Sequence, residues 1–133
     1  MPYTIRWYIL GSVVLSAYSG TVTKEEIRES TYKLIELIES TDREIVHTIT
    51  DISEVTEALP LTQIMSVIRE TNFKPSKGWY ITIGEKSPMI KFVSNLSRQL
   101  LRMRTRTFDT MEQAIAFLQE ADSTIDWSQR EAS

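Results

Sequence analysis

Segments rich in β-branched and aromatic residues alternate along this chain with amphipathic segments that open on helix caps. This alternation limits the fold more than any other feature. Tyr3 to Ile9 and Val13 to Tyr18 read as strands, with Leu10-Gly11-Ser12 between them as a hairpin turn. Thr23-Lys24-Glu25-Glu26 is a capping box: the threonine hydroxyl accepts from the Glu26 amide while the Glu26 carboxylate reaches back. Ile27, Leu34, Ile35 and Ile38 follow at helical spacing, which predicts a helix to about Ser40. Ile45 to Ile52 reads as the next strand, and Leu61, Ile64, Met65 and Ile68 mark a short helix with Pro60 in its first turn.

"KGWYITIG", from Lys77 to Gly84, is a further strand. Ser87-Pro88 then opens a helix with its apolar stripe at Met89, Phe92, Val93, Leu96 and Leu100. Met103 to Phe108 alternates as a strand does, and Thr110-Met111-Glu112-Gln113 is a second capping box. It starts a last helix whose inner face is Ala114, Ile115, Leu118 and Ala121. The order β-β-α-β-α-β-α-β-α predicts an α/β fold, in which an N-terminal β-hairpin is followed by alternating α and β elements. The expected result is a mixed, mainly parallel sheet covered by helices, with a strand order that the sequence leaves open.

With 133 residues, 41% hydrophobic and 25% charged, the chain is expected to form one soluble domain. That domain spans 1–122, followed by a tail, 123–133, that is polar apart from Ile125 and Trp127, for which folding back and fraying are the two alternatives. There is no cysteine, which excludes disulfides, thiolate metal sites and thiol nucleophiles. No apolar run nears the roughly 18 residues of a membrane span, and no secretory leader is legible, so the expected location is cytoplasmic. A net charge of −3 gives no reason to expect nucleic acid as a partner. The charge is nevertheless uneven. Lys86 to Phe108 holds six basic residues and no acidic one, which leaves nine basic against eighteen acidic groups elsewhere.

No catalytic constellation, metal cluster or cofactor loop is legible, so no cofactor is expected and the chain reads as non-enzymatic. His47 is the only histidine and sits in mid-strand, where a half-buried or buried ring with satisfied hydrogen bonds is the simplest account. Asp51 and Ser53 read as the carboxyl end of a strand and its following loop. A ligand or partner site belongs there in open α/β sheets, yet Asp and Ser also make local turn hydrogen bonds in any loop. Arg102, Arg104 and Arg106 recur at period two and would project to one side of a strand. They form a candidate strip for an anion or acidic partner, with solvated protection of a sheet edge as the alternative.

The element order, with "AYSGTVTKEEI", "IVHTITDIS" and "FDTMEQAIAFLQ", resembles the STAS fold of anti-sigma-factor antagonists, and more closely the SpoIIAA-like proteins. Gly20, Asp51, Phe108, Ala114 and Leu118 occupy the family's matching places, and the resemblance runs from about Tyr3 to Ala121. It implies a regulatory protein-interaction domain with a protein partner. In that family a kinase phosphorylates a serine of an Asp-Ser motif at the start of the helix after the central strand. In this chain "TEALPL" occupies that register and Asp51-Ile52-Ser53 lies earlier, so the usual phosphoserine motif is missing. The candidate partner or phosphorylation surface is therefore Asp51, Ser53 and Thr62. Some SpoIIAA-like proteins resemble lipid-binding folds, which implies a second reading, a binding protein for a small apolar or anionic ligand. Trp7, Tyr8, Tyr18, Phe73, Trp79, Tyr80, Met89 and Phe92 are the candidate pocket residues for it, and core packing is the alternative. A homodimer stays open as well.

Overall fold

The structure, a computed structural model, describes residues 3–85, residue 91 and residues 103–129. The hairpin forms as expected: β1 (Tyr3–Ile9) runs antiparallel to β2 (Val13–Thr21), in one register from Tyr3 opposite Tyr18 to Trp7 opposite Val14, and a shift at Tyr8 then sets Ile9 opposite Val13. Gly11 turns the chain at φ +76, in the left-handed region that a side chain resists, and the Ser12 amide closes the turn on the Ile9 carbonyl at 2.9 Å. Both capping boxes also form. Thr23 opens α1 (Lys24–Glu39), accepting from the Glu26 amide at 3.2 Å while the Glu26 carboxylate accepts from the Thr23 amide at 2.9 Å. Thr110 and Gln113 do the same at the start of α3 (Met111–Ala121).

Between them lie β3 (His47–Glu57), α2 (Leu61–Thr71), β4 (Trp79–Ile83) and β5 (Arg104–Phe108). Pro60 is the residue before α2 rather than its first helical residue. Asn72 ends α2 in the left-handed conformation, φ 55, and the Phe73 amide reaches back to the Ile68 carbonyl at 3.3 Å, a Schellman closure. The helix expected over Met89, Phe92, Val93, Leu96 and Leu100 lies outside the described residues.

The five strands lie in chain order, β1-β2-β3-β4-β5, antiparallel only at the hairpin. Each parallel crossover therefore steps in one direction, and right-handed connections carry α1 and α2 to the same face, where they pack on each other. The last helix, α3, returns against β4 and β5 on the other face. Residues opposite one another in register share a face, so Leu15, Ile49 and Ile81 point together, as do Val14, Thr48 and Tyr80 on the reverse.

The α3 face is the dry core. Val13, Ile49 and Ile81 pack with Ala114 and Leu118, and Ile125 folds back from beyond α3 to join them. Trp127, in a short 3-10 turn (Trp127–Gln129), packs against the same cluster. Among the described residues no helix is long and apolar enough to cross a membrane.

Leu118 is fully buried at the centre of this cluster. Leu118→Ala is expected to lower the unfolding free energy by about 3 kcal/mol through lost burial and a residual cavity, measured by urea denaturation.

Candidate functional site

β3 runs further than its sequence suggests. Asp51 and Ser53, expected at the strand end and in the following loop, lie inside β3, which continues pairing with β2 as far as Glu57. The reason is a register shift between the Ala17–Asp51 and Ser19–Glu54 pairs, which takes up one extra residue of β3. The Asp51 carboxylate accepts from the Ser53 amide at 2.9 Å, so the turn chemistry read from the sequence is present but serves this bulge. Pairing with β4 stops at Asp51 opposite Ile83, and the chain then turns at Gly84, φ +82. A Cβ on Gly84 would lie 2.6 Å from the Ser53 Cβ, so the two backbones meet too closely for any other residue there. Ser53 is thus partly buried and held on two sides.

Thr62 is exposed, in the first turn of α2, and no hydrogen bond among the described residues links it to Asp51 or Ser53. Pro60 supplies no side-chain cap to that turn. The three candidate residues therefore divide: Asp51 and Ser53 form one hydrogen-bonded unit in the sheet, while Thr62 stands alone on the surface.

Of the basic strip, Arg102 lies outside the described residues. Arg104 and Arg106 are exposed on β5 and share a face, as period two requires. Both guanidinium groups lie over the Trp79 ring, at 5.7 and 5.6 Å, and Arg106 also lies 5.4 Å from the Phe117 ring. Trp79 and Phe117 meet edge to face, with ring centroids 5.0 Å apart. The arginines are held by aromatic faces rather than by ion pairs among the described residues.

His47 has both ring nitrogens engaged. Nδ1 accepts from the Trp79 amide at 2.9 Å, which leaves the proton on Nε2 to be donated to Asp122 Oδ2 at 2.8 Å. Arg43 also donates to that oxygen, at 3.3 Å, and the Thr124 amide donates to Oδ1 at 2.9 Å. The cluster ties the end of α3 to the start of β3, and it leaves His47 no lone pair for proton transfer or for a metal. Burial lowers the His47 pKa below the ordinary histidine value, and the Asp122 hydrogen bond only partly offsets this. Burial pushes the Asp122 carboxyl up, but hydrogen bonds from Thr124 and His47 outweigh it and hold the carboxyl at about 2.

Sequence reading missed a third arrangement, on the face under α1 and α2. Val14, Thr48 and Tyr80 form one row there, and Ser16, Thr50 and Thr82 the next, so four of these six residues carry aliphatic hydroxyls. Ser16 and Thr50 bond to each other at 3.0 Å, and Tyr18 bonds to Ser30 of α1 at 2.5 Å. The alternation Thr48-Ile49-Thr50 was the available signal, but threonine favours strands whichever face it occupies. Of the aromatic residues read as pocket candidates, Tyr18, Phe73 and Tyr80 line a cavity on this face, whereas Tyr8 and Trp79 belong to the core on the α3 side. Met89 and Phe92 lie outside the described residues.

The backbone is similar to the anti-sigma factor antagonist SpoIIAA in its unphosphorylated form, with a TM-score of 0.61 over 89% of this chain and 96% of that one, at 14% identity. The chain has the SpoIIAA-like fold. It is equally similar to an uncharacterized protein of the DUF3478 family with a SpoIIAA-like fold from Shewanella loihica PV-4, with a TM-score of 0.60 and 15% identity. That likeness covers 87% of this chain and 93% of the other. No protein-family model and no curated protein matches the sequence.

The His47 cluster sets a pH dependence. As pH falls through about 6.5 the unfolded chain takes up a proton at His47 while burial keeps the folded site neutral. The unfolded state then binds more protons, so stability decreases with falling pH. Asp122 adds its own loss between 3.8 and about 2. Thermal unfolding from pH 7 to pH 5 is expected to show a falling Tm. His47→Gln keeps a donor for Asp122 without titrating, and should flatten that slope.

Proposed function

We propose that this chain is a non-enzymatic regulatory domain of the cytoplasm that acts by docking a protein partner on the first turn of α2. The observation that carries this reading is the structural similarity to an anti-sigma factor antagonist over 89% of the chain. The exposure of Thr62, with no side-chain cap on the α2 amides, supports a partner contact at that turn. A phosphate on Thr62 would meet those amides and the positive end of the helix dipole, which stabilises it and changes the charge that a partner meets. Ser53 is the weaker candidate. It is partly buried in a paired strand against Gly84, and a kinase needs an extended, accessible segment. Asp51 then acts in this reading by holding the β3 bulge.

A photo-crosslinking residue at Gln63, with one at Glu36 of α1 as control, tests the surface in cells of the source organism. The expected result is one discrete adduct at position 63 that is absent at position 36 and falls at least tenfold in a Thr62→Glu background. An adduct indifferent to Thr62→Glu, or none at all, contradicts the proposed surface. Phosphopeptide mapping of the same preparations is expected to place any modification on Thr62 and not on Ser53.

A further inference from the structure

β5 carries two cations that nothing in this chain neutralises. Arg104 and Arg106 are exposed, and neither guanidinium makes an ion pair or a side-chain hydrogen bond among the described residues. The sequence from Lys86 to Phe108, including its part outside the described residues, holds no acid. Glu120 lies three residues after Phe117 on α3 but pairs with neither arginine. Arg104 lies near enough to His47 to disfavour protonation of the ring, yet the Asp122 carboxylate on that ring is already occupied. Its Oδ2 takes His47 and Arg43, and its Oδ1 takes Thr124. Arg43 neutralises that carboxylate, so Arg104 and Arg106 remain as unbalanced positive charge.

The two arginines are also held in place. Both lie over the Trp79 ring, at 5.7 and 5.6 Å, and Arg106 lies 5.4 Å from the Phe117 ring, which meets Trp79 edge to face. An aromatic ring engages the face of a guanidinium and leaves its in-plane N–H donors for a carboxylate. Charges that only keep a sheet edge from pairing need no such platform, and lysine serves that purpose equally well. Ordering by the rings also removes part of the side-chain entropy loss that makes exposed ion pairs weak.

We propose that Arg104 and Arg106, on their platform of Trp79 and Phe117, bind an extended acidic segment of a protein partner that carries carboxylates at every second residue. Residues two apart on a strand are about 7 Å apart, and an extended segment spaces its alternate side chains equally, so each guanidinium meets one carboxylate as a forked pair. A nucleic acid or an anionic membrane also meets the rest of the chain, where nine basic groups face eighteen acidic ones. A second copy of the chain does not supply the segment. Among the described residues outside helices, the acids at that spacing are Asp42 and Glu44, with Arg43 between them and Glu44 already paired with Lys77. The strip lies on the α3 face of the sheet, opposite α2, so its test does not depend on the surface around Thr62.

The probe is a synthetic peptide, Glu-Thr-Glu-Thr-Glu between Gly-Ser flanks, titrated into the full chain and followed by NMR of the arginine Nε–H and tryptophan indole signals. Its counterparts are Glu-Glu-Glu-Thr-Thr, of equal charge, and Gln-Thr-Gln-Thr-Gln, of none. The alternating acidic peptide is expected to give saturable shifts at Arg104, Arg106 and Trp79, the contiguous one to bind at least fivefold more weakly, and the glutamine peptide to give no shift. Arg104→Gln with Arg106→Gln should reduce affinity at least tenfold. Arg104→Lys with Arg106→Lys keeps the charge but loses the fork and the stacking, and should reduce it at least threefold. Equal binding of the two acidic peptides, or wild-type binding by the lysine pair, would reduce the strip to plain charge attraction and overturn the proposal. Tighter binding of inorganic phosphate or of phosphatidylglycerol vesicles at the same signals overturns it as well. So does concentration-dependent self-association in sedimentation velocity that the glutamine pair abolishes, which would name a second copy as the occupant.

Discussion

The structure depends on the double confinement of β3. This strand is hydrogen-bonded to β2 on one side and to β4 on the other, and helices cover both of its faces. As far as the bulge that follows Asp51, each residue's surroundings therefore follow from whether it is odd or even along the strand. His47 and Ile49 face α3, while Thr48 and Thr50 face α1 and α2. A slip of one residue would put the threonines into the dry core and expel Ile49 from it, so the register is strongly fixed. The His47–Asp122 hydrogen bond reinforces it, because only the observed register brings His47 to the end of α3 and Trp79 to its other nitrogen.

Much of this was legible in the sequence because the signals were local. The two capping boxes, the hairpin around Gly11 and the alternation of strands with helices are matters of neighbouring residues, and the capping boxes, the hairpin and the alternation as far as β4 are present. What the sequence did not reveal depends on distant partners. Asp122, the partner of His47, lies 75 residues away and on another element. The end of β3 was misjudged because an aspartate followed by a serine makes the same hydrogen bond in a loop as in a bulge, and only the opposing strand tells them apart. Ile125 stands out in an otherwise polar tail, but whether it folds back or frays depends on the distant core residues it meets, and it is buried among them.

The candidate sites show the same division. Period two put Arg104 and Arg106 on one side, as read, but nothing local could show that Trp79 and Phe117 lie beneath them. The hydroxyl-lined face was hidden by threonine's strand propensity, which conceals whether its oxygen meets solvent, a partner or a cavity. The likeness to SpoIIAA at 14% identity fixes the architecture and leaves chemistry to the residues placed on it. In this chain α2 carries exposed Thr62 in its first turn and Ile68 facing the cavity near its end.

The central claim is the parity of β3, and nuclear Overhauser contacts between methyl groups test it most directly. The account predicts contacts from the Ile49 methyls to Leu118 of α3, and from the Thr48 methyl to Leu34 and Ile68 of α1 and α2. Contacts from Thr48 to Leu118, with Ile49 facing Leu34, would contradict both the register and the cavity that rests on it.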